Sequence, residues 1–219
     1  MFTHINTPEY EELKSRMKKG QRWYKTPDGV ELPSVTTILG SEPKPAIEAW
    51  KQALGSKRAK KEMERCSIRG TAVHEMCELF VNNDPDFAKG RDKNLVRLFN
   101  KMKVRLKKID NVRVQEVPLY SHTLKIAGRV DCVAEYDGVL SIIDYKTADR
   151  PKTEDMIEDY FLQCTAYAIM YSEMFDEAIE DIVVIIAAEN GAMPQVFKRK
   201  IYDYAKPLMK RIRKFYEAQ

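Results

Sequence analysis

Long hydrophobic runs are absent from this sequence. The longest uninterrupted apolar stretch in the 219 residues is 182–188, whereas a membrane-spanning helix needs roughly 20 such residues. The first residues are polar and lack the apolar segment of a secretory signal. We therefore expect a cytoplasmic protein without a membrane segment.

Cysteine is also scarce. The chain has four cysteines, Cys66, Cys77, Cys132 and Cys164, and no two of them form the C-x-x-C pair that is typical of zinc and redox sites. The spacing therefore predicts reduced, buried thiols, which is the usual state of widely spaced cysteines in such a protein.

Neither sign of charge dominates. The 37 Lys and Arg residues against 33 Asp and Glu leave a formal charge of +4, which permits a polyanionic partner without requiring one. The basic residues cluster in 14–25, 57–69, 101–108 and 206–214. These clusters could line a groove for a polyanion, although a run of charge is more often only a solvated helix face.

Hydrophobic spacing predicts one α+β domain with a mixed sheet. Four regions are expected: a basic, irregular segment 1–45, a helical region 46–109, a sheet-and-helix region 110–201 and a basic helix 202–219. The predicted helices are 46–54, 57–81, 95–109, 154–175 and 202–216, and the predicted strands are 112–119, 124–136, 139–145, 182–188 and 195–201.

Two carboxylates and a lysine lie on neighbouring predicted strands. The turn sequence at 137–138 favours a two-residue hairpin, which places Asp131 opposite Asp144, with Lys146 on the same face as Asp144. Like charges facing each other destabilise a sheet unless a cation compensates them, and oxygen ligands suit Mg²⁺ or Mn²⁺. The alternative is a surface hairpin with solvated charges, but the neighbouring residues are too apolar for a fully exposed ribbon.

Two further pairs of residues have the i, i+4 spacing of a helix. His74 follows Gly70 by four positions on one predicted helix, and Tyr167 follows Gln163 by four on another. Taken singly, each is more often an ordinary packed or surface residue than a functional one. Their order along the chain relative to Asp131 and Asp144 matters for the motif series described next.

Together these residues resemble a known motif series. Gly70-x-x-x-His74, Glu116, the segment 128–131 (GRVD), the segment 144–147 (DYKT) and Gln163-x-x-x-Tyr167 look like the motifs of the RecB-type branch of the PD-(D/E)xK nucleases. The segment 32–39 and the overall spacing are similar to exonucleases of mitochondrial genome maintenance and to related phage exonucleases. The resemblance covers roughly residues 30–175, and Val130 stands where the superfamily name has proline.

The resemblance implies a restriction-endonuclease-like core of order α-β-β-β-α-β and a role for each matching residue. The implied metal ligands are the side chains of His74, Asp131 and Asp144 and the carbonyl of Tyr145. Lys146 would orient or activate the attacking water, beside the catalytic carboxylates Asp131 and Asp144. Glu116 would support these ligands or bind a second metal. The implied nucleic-acid contacts are Ser34, Thr36, Arg129, Thr147, Gln163 and Tyr167.

The function that the resemblance implies is a Mg²⁺- or Mn²⁺-dependent DNA exonuclease that prefers single-stranded DNA. The resemblance to phage exonucleases also allows a phage-encoded enzyme that acts in a host cytoplasm. No iron–sulfur cluster is expected, because such clusters use late cysteines and none follows Cys164. The alternatives are an endonuclease or helicase-associated RecB-type nuclease, or a nucleic-acid-binding module without catalysis. Oligomeric state, polarity and DNA-over-RNA preference stay open.

Overall fold

Eight strands and six α-helices make up the described part of the chain. The computed structural model describes residues 1–5 and 9–219. In chain order the elements are β1 (Lys14–Lys18), β2 (Gln21–Lys25), β3 (Glu31–Pro33), α1 (Val35–Gly40), α2 (Pro45–Leu54), α3 (Ser56–Val81), α4 (Lys93–Leu106), β4 (Ile109–Ser121), β5 (Ile126–Tyr136), β6 (Val139–Ala148), α5 (Glu158–Phe175), β7 (Asp181–Ala188), β8 (Gln195–Lys200) and α6 (Tyr202–Glu217).

The central sheet is mixed, as the sequence predicts. Its five strands lie in the order β4-β5-β6-β7-β8. Strands β4, β5 and β6 form an antiparallel meander, and Asp137 and Gly138 make the β5–β6 turn with φ values of 52° and 80°. Strand β7 pairs in parallel with β6 after the crossover through α5, and β8 closes the sheet antiparallel to β7. The α+β class and the core order are therefore confirmed.

Helices cover both faces of this sheet. On one face α5, α6 and α1 bury residues such as Phe161 and Tyr171, and on the other α3 and α4 bury Met76 and Phe99. The i, i+3, i+4 stripe of α3, which includes Val73 and Met76, is fully buried. This packing fixes the rotation of α3 and so the direction in which the neighbouring residue His74 can point.

The expectation of an irregular segment 1–45 is wrong. Residues 14–33 form a three-stranded antiparallel sheet in the order β1-β2-β3. Lys19 and Gly20 turn the chain between β1 and β2 with positive φ values of 51° and 78°, the geometry that a two-residue hairpin requires. Every residue of β1 is exposed, so this strand carries no alternating hydrophobic pattern that would have revealed it.

The end of one helix and the state of the cysteines can also be compared with the expectations. Helix α4 ends at Leu106, three residues before the expected end, because Ile109 already begins β4. Among the described residues the cysteines are all free, and only Cys66 is not buried. No helix within the described ranges is long and apolar enough to cross a membrane.

Candidate active site

Three adjacent strands bring carboxylates to one position of the sheet. The β5–β6 hairpin has the predicted register, from Tyr136 opposite Val139 to Cys132 opposite Ile143, and Asp131 and Asp144 follow by one residue on either strand. On the other side of β5, Gln115 pairs with Cys132 and Val117 with Val130, so Glu116 lies opposite Asp131. The Asp131 carboxylate accepts a hydrogen bond from the Tyr145 backbone N–H at 2.8 Å. Asp131 therefore has an acidic neighbour on each adjacent strand.

The backbone of Glu116 adopts a conformation that is unusual for a side chain other than glycine. Its φ is +51°, and a strained conformation of this kind within a strand is typically kept where function needs it. The guanidinium of Arg129 donates a hydrogen bond to the Glu116 carbonyl oxygen. Burial, followed by the nearby carboxylates of Asp131 and Glu78, raises the pKa of Glu116 to about 7. The site is therefore short of positive charge.

His74 completes a set of donors that suits a divalent metal. Its Nδ1 lies 3.4 Å from Asp131 Oδ2. Donor atoms of His74, Glu116 and Asp131 all lie within 4.8 Å of one another. One imidazole nitrogen and two carboxylates can bind Mn²⁺ or Mg²⁺, and a cation placed among them would offset the repulsion between the acids.

Asp144 and Lys146 form a close pair next to this cluster. The Lys146 ammonium lies 2.5 Å from both oxygens of Asp144, but its geometry makes a hydrogen bond only to Oδ1, so the buried Oδ2 accepts none. Burial raises the pKa of Asp144 to about 6, against the opposing effect of Lys146. Burial lowers the pKa of Lys146, but Asp144 and Asp131 outweigh it and raise the pKa above its usual value. The pair therefore places the Lys146 side chain beside the acidic cluster.

A cavity of 490 Å³ opens beside the cluster. The residues on its wall come from the small N-terminal sheet, from α1, α3 and α5 and from the meander. The predicted site residues that line it are Ser34, Thr36, His74, Glu116, Arg129, Asp131, Gln163 and Tyr167. The structure therefore gathers most of the predicted site around one opening.

Gly128 has a packing role that its motif did not reveal. A Cβ atom at this position would lie 2.7 Å from Cε1 of Tyr167, so the tyrosine can reach the cavity wall only because residue 128 has no side chain. The Tyr167 hydroxyl accepts a hydrogen bond from Gln163 Nε2 at 3.1 Å. The two residues of the α5 motif thus hold each other in place.

Comparisons with known proteins agree with this geometry. A family profile described as the PD-(D/E)XK nuclease superfamily matches residues 89–200, which is half of the chain. The chain belongs to the PD-(D/E)XK nuclease superfamily. Nucleases of this superfamily generally use divalent metals, which fits the donor set of His74, Glu116 and Asp131.

Curated relatives match about three quarters of this chain. The chain is 30% identical over 176 residues to the human protein named mitochondrial genome maintenance exonuclease 1, and the match covers 74% of this chain and 50% of the relative. The mouse protein of the same name is 26% identical over 174 residues, 74% of this chain and 51% of the relative. This PD-(D/E)XK chain therefore spans about half the length of the curated relatives it matches.

Some of the residues predicted for the nuclease site lie outside the cavity wall. Asp144, Tyr145, Lys146 and Thr147 do not line it. The Tyr145 side chain packs in the core beneath α3 and α4, and Thr147 accepts a hydrogen bond from Arg69 Nε at 3.2 Å. A metal contact of Asp144 or of the Tyr145 carbonyl, and a nucleic-acid contact of Thr147, stay predictions.

Sequence reasoning missed other parts of the nuclease cavity. Glu75 and Glu78 line it beside His74, and the acidic face of α3 one turn beyond His74 could have indicated Glu78. Arg22 and Tyr24 also line it. They lie two positions apart, a spacing that points both to one face of a strand, but β2 itself was not expected.

Much of the basic surface that was considered for nucleic-acid binding is used within the fold. Arg65 and Arg69 bind acidic residues, and the Lys101 ammonium donates hydrogen bonds to the carbonyls of residues 188, 189 and 191. Lys214 pairs with Glu42. Only Arg22 and Arg129 bring basic side chains to the described wall of the nuclease cavity.

Proposed function

We propose that this chain is a metal-dependent DNA exonuclease that hydrolyses phosphodiester bonds and prefers single-stranded DNA. The observation that carries the proposal is the meeting of His74, Glu116 and Asp131 at one cavity, with the Asp144–Lys146 pair next to them. Membership of the PD-(D/E)XK superfamily and relatives that are named exonucleases support it.

In this proposal His74, Glu116 and Asp131 would hold the cation, and Asp144, whose Oδ2 accepts no hydrogen bond, would support them. Mg²⁺ and Mn²⁺ are both compatible with carboxylate-rich donors, and the imidazole favours Mn²⁺ slightly more. A divalent cation supplies charge stabilisation for the phosphate oxygens and makes nearby water more acidic.

Lys146 acts as a fixed positive charge. Paired with Asp144, the ammonium donates hydrogen bonds to the attacking water or to the scissile phosphate and stabilises the charge that grows there. Its position is held by Asp144 and by the ring of Tyr160, whose centroid lies 5.1 Å from the Nζ.

The preference for an unpaired strand rests on the resemblance to single-strand exonucleases. Tyr24 and Tyr167 line the cavity, but both side chains are buried and shape its wall. Gln163 and the hydroxyls of Ser34 and Thr36 provide uncharged hydrogen-bonding groups for the sugar-phosphate chain. Action in the cytoplasm stays a prediction.

The test compares end-labelled linear strands with circular single strands, each incubated with Mg²⁺, Mn²⁺ or chelator. We expect linear single-stranded DNA to be degraded with either metal, circles to survive and chelator to stop the reaction. Duplex DNA and RNA of the same sequence test the substrate preference. The Lys146→Ala variant, prepared in parallel, controls for a contaminating nuclease.

Each other outcome has a definite meaning. Degradation of circles would replace the exonuclease with an endonuclease. Binding of DNA with no cleavage under any metal would indicate a binding module without catalysis. Equal cleavage in chelator would contradict the metal-dependent mechanism.

A further inference from the structure

Among the described residues, the cavity wall has only one lysine or arginine side chain without an ion-pair partner. Arg129 lines the wall, but its guanidinium is 2.6 Å from Glu12 and also contacts the Glu116 carbonyl. Arg22 is the other basic residue of the wall. Within the described residues, no carboxylate lies within ion-pair distance of Arg22.

The position of Arg22 is fixed by its backbone. Its N–H donates to Thr37 Oγ1 at 3.0 Å. Its carbonyl accepts from the Ser34 N–H at 2.9 Å and from the Thr37 hydroxyl at 3.1 Å. The side chain of Arg22 is exposed, but the backbone that carries it is held by these hydrogen bonds at the edge of the cavity. An anchored arginine loses less freedom when it binds a ligand.

The charge of the remaining wall explains why such a residue is needed. Glu78, Glu116 and Asp131 line the same cavity, and none of the three has a lysine or arginine ion-pair partner within residues 1–5 and 9–219. A phosphate chain that approaches these acids is repelled unless positive charge meets it. Metal bound at the acids offsets part of this repulsion, and a guanidinium at the entrance can bind the next phosphate with two parallel hydrogen bonds.

We propose that Arg22 binds a backbone phosphate of the nucleic-acid strand next to the one that is cleaved. This inference rests on the proposed nuclease function, because it takes the strand in the cavity to be the substrate. It adds a substrate-binding role for the small N-terminal sheet, which carries Arg22 and Tyr24 on the same face of β2.

The experiment measures binding separately from cleavage. Anisotropy of a fluorescent single strand in chelator gives the affinity of the unaltered chain and of Arg22→Ala, Arg22→Lys and Arg16→Ala. Arg16 is the matched control, since it lies on the adjacent strand, pairs with Glu31 at 2.6 Å and does not line the cavity. Thermal melting confirms that each variant is folded.

We expect Arg22→Ala to weaken binding about tenfold, as for loss of a charged hydrogen bond. The slope of log K against log salt should fall by about 0.7, the value for one phosphate contact on a single strand. Arg22→Lys should keep the slope but not the full affinity, because lysine lacks the two-pronged geometry. Arg16→Ala should match the unaltered chain.

A methylphosphonate scan shows whether the contact is local. Each phosphate of the strand is neutralised in turn. At one position the substitution should weaken binding of the unaltered chain but cause no further loss of affinity in Arg22→Ala. Coupling spread evenly along the strand, or an Arg22→Ala variant with unchanged affinity and slope, would overturn the inference. Position-specific coupling in a chain that never cleaves DNA would support the Arg22 contact and overturn only the proposed nuclease function.

Discussion

Two acidic clusters share helix α3 and differ in what neutralises them. The open cluster, His74, Glu116 and Asp131, has no lysine or arginine ion-pair partner in the described structure. The paired cluster consists of the acids Glu62, Asp149 and Glu189 and the arginines that bind them, Arg65 and Arg69.

The difference shows how a binding site can be told from a structural one. Glu62, Cys66 and Asp149 also place donor atoms within 4.8 Å of one another. In the paired cluster, however, Arg65 lies 2.6 Å from Glu62, and Arg69 lies 2.5 Å from Asp149, so the carboxylates are already satisfied. In the open cluster a bound cation would supply the missing charge. Closeness of acids alone is therefore a weaker sign of a metal site than closeness without compensation.

The largest effect is expected beside the open cluster. Lys146→Ala should lower the cleavage rate by about 10³-fold, because in the proposed mechanism it removes the positive charge that stabilises the reacting phosphate. Strand binding should change little, since the proposed strand contacts are made by residues of the cavity wall. Single-turnover cleavage and anisotropy measure the two effects. Lys200→Ala, which breaks a surface ion pair with Asp181, is the control. Cleavage by Lys146→Ala at the parent rate would mean that the site is misplaced.

The next largest effect is expected where the cavity wall packs against the core, at Gly128. Gly128→Ala should lower the free energy of unfolding by about 2 kcal/mol, because its methyl group would lie against the buried Tyr167 ring. Urea denaturation measures this loss. Gly70→Ala is the matched control: its methyl group meets only Thr147 Oγ1 at 3.9 Å, and alanine favours a helix over glycine. Equal stability of both variants would contradict the close packing at Gly128.

A smaller effect is expected in the paired cluster. Arg69 is only 5% exposed, and Arg69→Ala leaves Asp149 and Glu189 with less compensation. Both acids are partly exposed, so water screens the loss and the stability cost should be about 1 to 2 kcal/mol. Urea denaturation of Arg69→Ala, with Lys51→Ala at a surface pair as control, measures it. A loss no larger than that of the control would show that the paired cluster contributes nothing to stability.

The smallest effect is a pH dependence of the metal-free chain. The pKa of Glu116 is raised from 4.5 to about 7, so between these values the folded chain holds a proton that the unfolded chain has released. Stability should therefore fall as the pH rises through this range, by about 1 kcal/mol for a partly exposed group.

Glu116→Gln cannot take part in this titration. Urea denaturation at pH 5 and pH 7.5 in chelator should therefore show a smaller decline for Glu116→Gln than for the unaltered chain. Added Mg²⁺ should reduce the decline in the unaltered chain, because the cation favours the charged carboxylate. The same decline in both proteins would show that titration of Glu116 does not cause the loss of stability.

Local signals were enough to predict the central hairpin. The Asp137-Gly138 turn sets the register between β5 and β6, and alternation along β6 brings Asp144 and Lys146 together, so the sequence alone predicts that pair. Helical spacing also gave the buried stripe of α3 that orients His74. These features depend on residues close together in the chain.

Other features could not be read from the chain. The position of Glu116 depends on a left-handed backbone within a strand, which a glutamate does not signal. Strand β1 is fully exposed and has no hydrophobic alternation, so its pairing with β2, the strand that carries Arg22, could not be predicted. Which arginines are neutralised depends on contacts such as that between Arg65 and Glu189, 124 positions apart.

Calorimetric titration with Mn²⁺ tests the contrast between the two clusters most directly. The titration compares the unaltered chain, Asp131→Asn and Asp149→Asn. Loss of one carboxylate ligand should weaken Mn²⁺ binding by about tenfold or more in Asp131→Asn. Asp149→Asn should bind Mn²⁺ like the unaltered chain, because its carboxylate is held by arginines. Weaker binding in Asp149→Asn with unchanged binding in Asp131→Asn would contradict the account.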